Sequence, residues 1–158
     1  MSYGGVPAMF NFSDSFYSIK KVGTTLGLYE NNAGKYNNFY GNYKGWDFSF
    51  ISNDNSIYTK IFDTVDLRAD HENKELLNTC PVNFIEVSNE YQNAQALLNN
   101  KNMRKKFRVW RGIIPRNSGT RERIRNPWAK ITLGYNPTPD ASNDNKAIVH
   151  DVTVHYTI

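Results

Sequence analysis

The sequence predicts an all-β fold: an antiparallel β-sandwich of jelly-roll type with long polar loops and little helix. Three segments, residues 46–51, 57–69 and 150–158, alternate apolar and polar side chains with a period of two, which is the pattern of a half-buried strand. Asn, Gly and Pro separate the apolar segments, as in the SNDN tetrapeptides at residues 52–55 and 142–145. Aromatic residues make up 14% of the chain, whereas the mean hydropathy is −0.63. Together these features indicate about seven or eight strands that bury aromatic rings and are joined by polar turns.

The beginning of the chain has the weakest pattern. Residues 10–21 are aromatic and amphipathic and fit a strand or a short helix, although the whole of residues 1–25 also fits an irregular lead-in. Residues 26–30 predict a short strand, and residues 31–38 predict a turn rich in Gly and Asn.

The middle of the chain predicts two strands with defined faces. In residues 46–51 the three rings of Trp46, Phe48 and Phe50 share one face, so we expect them in the core. The next strand covers residues 57–69, and the side chains expected to face inward are Ile57, Ile61, Val65 and Leu67. Asp63 interrupts this alternation, which predicts a β-bulge in a long strand.

The second half of the chain predicts further strands. Residues 82–87 predict a strand, and residues 90–98 predict a turn or two of helix. Residues 107–114 and 128–133 predict a hairpin around a basic loop, with Trp110, Trp128 and Phe107 largely buried. Residues 150–158 predict a final strand. One of its faces carries His150, Val152, Val154, Tyr156 and Ile158, and the other carries Asp151, Thr153, His155 and Thr157.

Length and composition limit the domain organisation. A chain of 158 residues fits one sandwich domain, residues 1–158, with enough length for a core. The abrupt start of the sequence suggests the C-terminal module of a much larger chain. The single cysteine, Cys80, excludes an internal disulfide framework, and we expect it to be a small buried side chain. The sequence has no apolar run of the ~18 residues that a membrane span needs.

The arginines between residues 104 and 125 are the most informative feature of the chain. This stretch holds nine basic residues and one acidic residue, so it carries +8, and the remainder carries −4 because the whole chain carries +4. The arginines can pair with carboxylates of the same domain, form a protein interface, or bind nucleic acid. The candidate carboxylate partners are Asp63, Asp66, Glu86 and Glu90. The candidate interface or ion-pair residues are Arg108, Arg111, Arg116, Arg121, Arg123 and Arg125.

One of these arginines bears on the choice between the three uses. Arg111 shares a strand face with the apolar Val109 and Ile113. This placement favours a buried and paired arginine over one that is offered to phosphate, so nucleic acid is disfavoured as a partner.

A group of acidic residues is the one cluster with potential for metal binding or acid–base chemistry. Its members are Asp63, Asp66, Asp70, His71, Glu72 and Glu75. Asp63 and Asp66 differ in parity and face opposite ways on an unbroken strand, and residues 70–75 lack the glycine and ligand spacing of a calcium loop. The cluster is therefore interpreted as a solvated strand end. His150 and His155 are expected on opposite faces of the last strand, so we expect no catalytic, cofactor or metal site.

Exposed aromatic residues support an alternative hypothesis, a carbohydrate-binding β-sandwich. Ring faces can stack on sugars while nearby amides bond their hydroxyl groups. Because Trp46, Phe48 and Phe50 are expected in the core, the stacking candidates are Tyr36, Tyr40 and Tyr43.

Several phrases in the chain occur together in a known family. They are GLYENNAGKYNNFYG at residues 27–41, TKIFDTVDLRAD at 59–70, EVSNEYQN at 86–93, FRVWRGIIPR at 107–116 and RIRNPWAKITL at 123–133. In these phrases the chain resembles the C-terminal region of large virion structural proteins, of tail or muzzle type, of crAss-like tailed phages of gut Bacteroidetes. The resemblance implies a non-enzymatic module, without catalytic residues or cofactor, made in the host bacterial cytoplasm and assembled into the virion. It would pack against neighbouring tail proteins or copies of itself.

Overall fold

In the computed structural model the chain is nearly all β, which confirms the predicted antiparallel sandwich class. The structure describes residues 8–31, 33–34, 38–40, 42–72, 76–99, 101–136 and 146–158. Strands account for 62% and helix for 1% of these described residues. Two compact units are present, Met1–Lys44 and Gly45–Ile158. No helix in the described ranges is long and apolar enough to cross a membrane.

The first unit is built on a three-stranded antiparallel meander. Its strands are β1 (Ala8–Phe12), β2 (Ser15–Val22) and β3 (Thr25–Asn31), followed by the two-stranded ladder of β4 (Asn38–Phe39) and β5 (Asn42–Tyr43). Apolar side chains pair across the first two strands, with Phe10 opposite Tyr17 and Ala8 opposite Ile19. The structure therefore differs from the predicted irregular lead-in, because cross-strand pairing orders the part of it that is described.

The second unit contains two antiparallel sheets. The first sheet has the order β6 (Trp46–Ser52), β13 (Ala129–Tyr135), β8 (Phe84–Ser88) and β9 (Asn93–Leu97). The second sheet has the order β10 (Met103–Lys106), β11 (Val109–Ile113), β7 (Lys60–His71) and β14 (Ala147–Thr157), with the short β12 (Arg125–Asn126) also beside β7.

Inward side chains from both sheets of the second unit form one buried cluster. It includes Val65 and Leu67 of β7, Ile85 of β8, and Ile131 and Leu133 of β13, all without accessible surface. The rings on β6 pack against this cluster, as predicted, and stack along the strand in the order Trp46, Phe48 and Phe50.

A β-bulge at Asp63 sets which side chains of β7 enter the core. On β14, His155 lies opposite Thr64 and Tyr156 lies opposite Phe62, so Asp63 has no partner in that ladder. The predicted bulge is thus confirmed. The fully buried side chains of β7 are Lys60 and Phe62 before the bulge, and Val65, Leu67 and Ala69 after it.

This bulge overturns part of the predicted inward face. Val65 and Leu67 are inward as expected, but Ile61 is only half-buried. Ile57 lies before the strand begins and is 82% exposed. The physical reason is that an extra residue exchanges the two faces of a strand on one side of it.

The helix predicted over residues 90–98 is wrong. Residues Asn93–Leu97 form β9, which pairs with β8. The side-chain oxygen of Asn89 accepts hydrogen bonds from the backbone N–H groups of Tyr91 and Gln92. Such an Asx turn reverses the chain tightly, so a hairpin forms where a helical turn was predicted.

The hairpin predicted from residues 107–114 and 128–133 is also wrong. The strand β11 pairs with β10 in one sheet, whereas β13 belongs to the other sheet. Phe107 and Arg108 form the turn of the true hairpin. Phe107 is therefore 88% exposed, Trp128 is half-buried, and only Trp110 is buried as predicted, with 2% exposure.

Candidate assembly surface

The outer face of β7 carries three carboxylates, and each lies beside cations from neighbouring elements. They belong to Asp63, Asp66 and Asp70, which are partly buried. Strict alternation would place Asp63 and Asp66 on opposite faces, but the bulge turns both toward the outer face, where they meet their partners.

Asp66 makes the strongest of these contacts. Arg111 lies directly opposite it in the ladder and donates from Nε to Oδ1 at 2.6 Å and from Nη2 to Oδ2 at 2.5 Å. His155 Nε2 lies 3.0 Å from the same Oδ2. The two parallel bonds match the guanidinium fork, an arrangement that lysine cannot reproduce.

Arg111 is paired but not buried, which corrects its predicted burial. Its side chain is 61% exposed, while that of Asp66 is 14% exposed. The apolar neighbour Ile113 on the same face is 74% exposed. The sequence pattern was misleading because apolar residues occupy the solvent face of β11.

The other carboxylates of this region also have hydrogen-bond or ion-pair partners. Asp63 accepts from Arg123 Nη1 at 2.9 Å and from Thr157 Oγ1 at 2.7 Å. Asp70 lies 3.4 Å from His150 Nε2 and 4.0 Å from Lys105 Nζ. Glu72 lies 3.1 Å from Lys146 Nζ. Every described carboxylate of the predicted acidic cluster therefore has a cationic or hydroxyl partner, and Glu75 lies outside the described residues.

The two histidines of β14 lie on the same face, contrary to prediction. Val149 lies opposite Ala69 and Asp151 lies opposite Arg68, so His150 is the extra residue of a second bulge. This shift brings His150 to the face that His155 already occupies, where both meet carboxylates of β7. Among the described residues no group of three or more His, Cys, Asp or Glu side chains is arranged to hold a metal ion.

Two side chains of reactive types, an imidazole and a thiol, are buried in the second unit. His71 is 6% exposed and Cys80 is 7% exposed. Burial lowers the pKa of the His71 imidazole from its usual value and raises the pKa of the Cys80 thiol to about 11. Cys80 therefore stays a protonated thiol at neutral pH, which is an unreactive state.

The stability of the domain is expected to fall in two stages as the pH is lowered. The guanidinium of Arg111 holds the pKa of the Asp66 carboxyl below its usual value of 3.8, and His155 adds to the effect. A group with a depressed folded-state pKa binds its proton more readily in the unfolded chain. Because the unfolded chain binds a proton at His71 more readily, the free energy of unfolding should begin to fall below about pH 6.5. Protonation of Asp66 should lower the free energy of unfolding further, but only below about pH 4.

Urea denaturation at a series of pH values measures these two stages. Replacement of His71 by Leu should remove the loss of stability below about pH 6.5 and keep the loss below about pH 4. Asp66→Asn should keep the first loss and remove the second. Identical pH profiles for wild type and both variants would contradict the assignment.

The remaining candidate arginines have no carboxylate partner among the described residues. Arg116 Nη1 donates to the carbonyl of Arg121 at 3.3 Å. The guanidinium groups of Arg108, Arg121 and Arg125 are exposed on the surface. Glu86 and Glu90, which the sequence named as acids for pairing, form no ion pair in the described part of the chain.

Hydrogen bonds between polar side chains and the backbone hold the basic loop in place. The Asn117 side chain accepts from the N–H groups of Gly119 and Thr120. Gln92, in the β8–β9 turn, donates to the carbonyl of Arg123 and accepts from the N–H of Arg125. The loop is thus fixed by polar side chains together with the ion pair of Arg123 with Asp63.

Among the tyrosines proposed for sugar stacking, Tyr40 is already engaged. Its ring meets Tyr29 edge-on at 4.8 Å, Lys20 Nζ lies 4.4 Å above it, and its hydroxyl lies 3.1 Å from Ser18 Oγ. Tyr43 is half-buried. Tyr36 lies outside the described residues.

Two features of the surface and core were missed from the sequence. The short strand β10 lies before the predicted strand of residues 107–114 and was not predicted, although Met103 and Lys105 alternate with Arg104 and Lys106, and the exposed turn at Phe107 lies where that strand was predicted to begin. The burial of Lys60 had no local signal, because a lysine at a strand start is ordinarily exposed.

Comparison with known proteins identifies the family of this chain. Residues 34–117 match the family model described as the Crassvirus muzzle protein C-terminal domain. The muzzle protein of Bacteroides phage crAss001 is 42% identical over 99% of this chain, which spans 11% of that protein's length. The resemblance predicted from the sequence is confirmed, and the chain belongs to the Crassvirus muzzle protein C-terminal domain family.

Proposed function

We propose that this chain is a non-enzymatic structural module of a crAss-like phage virion and packs there against neighbouring virion proteins. The observation that carries the proposal is the 42% identity to a phage muzzle protein along almost the whole chain. The relative is much longer than this chain, so the proposal concerns one module of such a protein.

The geometry of the second unit supports a packing role. The outer carboxylates of β7 are occupied by Arg111, Arg123 and Lys105, so they are not available as an acid–base pair. The exposed side chains of Arg108, Arg121 and Arg125 have no carboxylate partner among the described residues. Arginine is enriched at protein interfaces because its planar fork binds carboxylates directionally. A rigid sandwich that presents such arginines is suited to docking.

Lysine footprinting of purified virions tests this proposal. An amine-reactive cross-linker is applied to the particles and to the isolated chain, and the modified lysines are identified by mass spectrometry. We expect some exposed lysines, such as Lys101, Lys106 and Lys130, to lose reactivity in the particle or to cross-link to other virion proteins. Lys60 has no accessible surface and is the internal control that should stay unmodified in both samples. Equal reactivity of all exposed lysines in both samples, without intermolecular links, would overturn the proposal.

A titration with single-stranded DNA separates packing from polyanion binding. Arginines that contact phosphates release counterions, so micromolar binding that weakens steeply with salt would indicate a nucleic-acid surface. We expect no such binding at physiological salt, because a stacking surface for single strands requires several exposed aromatic rings in succession.

A further inference from the structure

We infer that the turn of the β10–β11 hairpin docks into a groove on the outer face of β8 and β9 of a second copy of this chain. The hairpin tip is defined as Lys106, Phe107 and Arg108. The lining of the β8–β9 groove includes Phe84, Glu86, Gln95, Ala96, Leu97 and Asn136. The inference rests on the proposed function, because it names one partner and one contact of the packing module.

The backbone of the hairpin tip is unusual for its residues. Lys106 pairs with Val109, so Phe107 and Arg108 form a two-residue turn, and their φ angles are 50° and 65°. Two left-handed residues in a two-residue hairpin define a type I′ turn, which strongly prefers Asn-Gly. A bulky aromatic residue in this conformation is strained, and such strain is concentrated where function requires the side chain.

The side chains of the tip place one exposed aromatic ring among basic residues. Phe107 is 88% exposed, and Lys106 Nζ lies 5.6 Å from the centre of its ring. Arg104 and Arg108 are exposed and have no carboxylate partner among the described residues. A single protruding ring surrounded by charged groups has the organisation of an interface hot spot with a polar rim.

The β8–β9 groove offers the complementary features. It is an open concavity of about 510 Å³. Phe84 and Leu97 of its lining lie opposite each other in the ladder, and Leu97 is 74% exposed. The Phe84 ring lies against Gly134, where an added Cβ would come within 2.6 Å of it, so the glycine leaves room for the ring. Glu86 supplies an exposed carboxylate without a partner in the described part of the chain.

These two features are complementary in shape and in charge. The tip is convex, apolar and basic, whereas the groove is concave and lined by the apolar Phe84 and Leu97 beside the acidic Glu86. The high exposure of Phe107 shows that the tip does not occupy the groove of its own chain. A protrusion and a groove on different parts of one molecule produce a head-to-tail contact between copies. A nucleic acid would need successive stacking rings, whereas the tip offers only Phe107.

Sedimentation velocity of the full chain over a range of concentrations tests the inference. We expect concentration-dependent association that weakens with added salt, since the rim contacts are electrostatic. Phe107→Ala and Leu97→Arg should each weaken association at least about tenfold, the effect of losing one hot-spot side chain. Ile57→Ala is the matched control, because Ile57 is 82% exposed but belongs to neither surface. A mixture of Phe107→Ala and Leu97→Arg chains should form dimers that do not grow further, because each supplies only one intact half.

A double substitution separates docking from folding. Phe107→Asn with Arg108→Gly installs the preferred type I′ turn, so it should raise the melting temperature by about 2–4 °C while association is lost. Monomeric wild type at every concentration, or association that Phe107→Ala leaves unchanged, would overturn the inference. If the chain is monomeric in solution but its lysines are still protected in virions, the proposed function stands and the groove does not bind a second copy. Salt-sensitive DNA binding that Phe107→Ala abolishes would likewise assign the tip to nucleic acid.

Discussion

Replacement of Trp110 by alanine is expected to lower the free energy of unfolding by about 3–5 kcal/mol, the usual cost of removing a large core aromatic. The indole is 2% exposed and lies opposite Leu67 of β7 and Lys105 of β10 in the ladders. It joins the second sheet to the buried cluster of the domain. Its removal would leave a cavity where two hairpin strands meet the central strand, and a close-packed core can only partly collapse into such a space.

Urea denaturation followed by circular dichroism measures this loss, with two other aromatic residues as controls. Phe107→Ala should change stability by less than about 0.5 kcal/mol, because an exposed side chain leaves no cavity. Trp128→Ala should fall between the two, since Trp128 is half-buried. Trp110→Phe should cost less than Trp110→Ala, because it retains a ring and removes an Nε1–H group that has no partner among the described residues. A loss below about 1 kcal/mol for Trp110→Ala would show that this ring is not part of the core.

Lys60 is expected to contribute to stability through its volume more than through its charge. The side chain has no accessible surface, and its Nζ donates to the carbonyl of Pro127 and lies 5.3 Å from the centre of the Tyr156 ring. Burial of an ammonium group is unfavourable, and one carbonyl and one ring offset that cost only in part. Lys60→Ala should cost about 2–5 kcal/mol, as other long side chains do when they are truncated in a core.

Lys60→Met provides the matched comparison. Methionine fills nearly the same volume without a charge, so we expect its stability within about 1.5 kcal/mol of the wild type. Lys106→Ala is the exposed control and should have almost no effect. Equal losses for Lys60→Met and Lys60→Ala in urea denaturation would show that the hydrogen bond and the charge, rather than the packing, make Lys60 necessary.

The ion pairs of the arginines could be predicted from composition only in kind, not in their choice of partners. The excess of positive charge between residues 104 and 125, against an acidic remainder, made pairing with carboxylates such as Asp63 and Asp66 one of three predicted uses of the arginines. The choice of partners came from strand register, which places Arg111 directly opposite Asp66. The bulge at Asp63 added the contact with Arg123, and no property of the sequence near either residue specified that contact.

The sequence by itself determined the all-β class, the inward rings of Trp46, Phe48 and Phe50, the bulge at Asp63 and the family to which the chain belongs. These are local properties, because a period of two and a break in it can be recognised within one strand. The tertiary structure alone decided that β11 and β13 lie in different sheets, that Phe107 is at an exposed turn and that Lys60 enters the core. Each of these depends on pairing between distant segments, where a shift of one residue exchanges the buried and exposed faces of a strand.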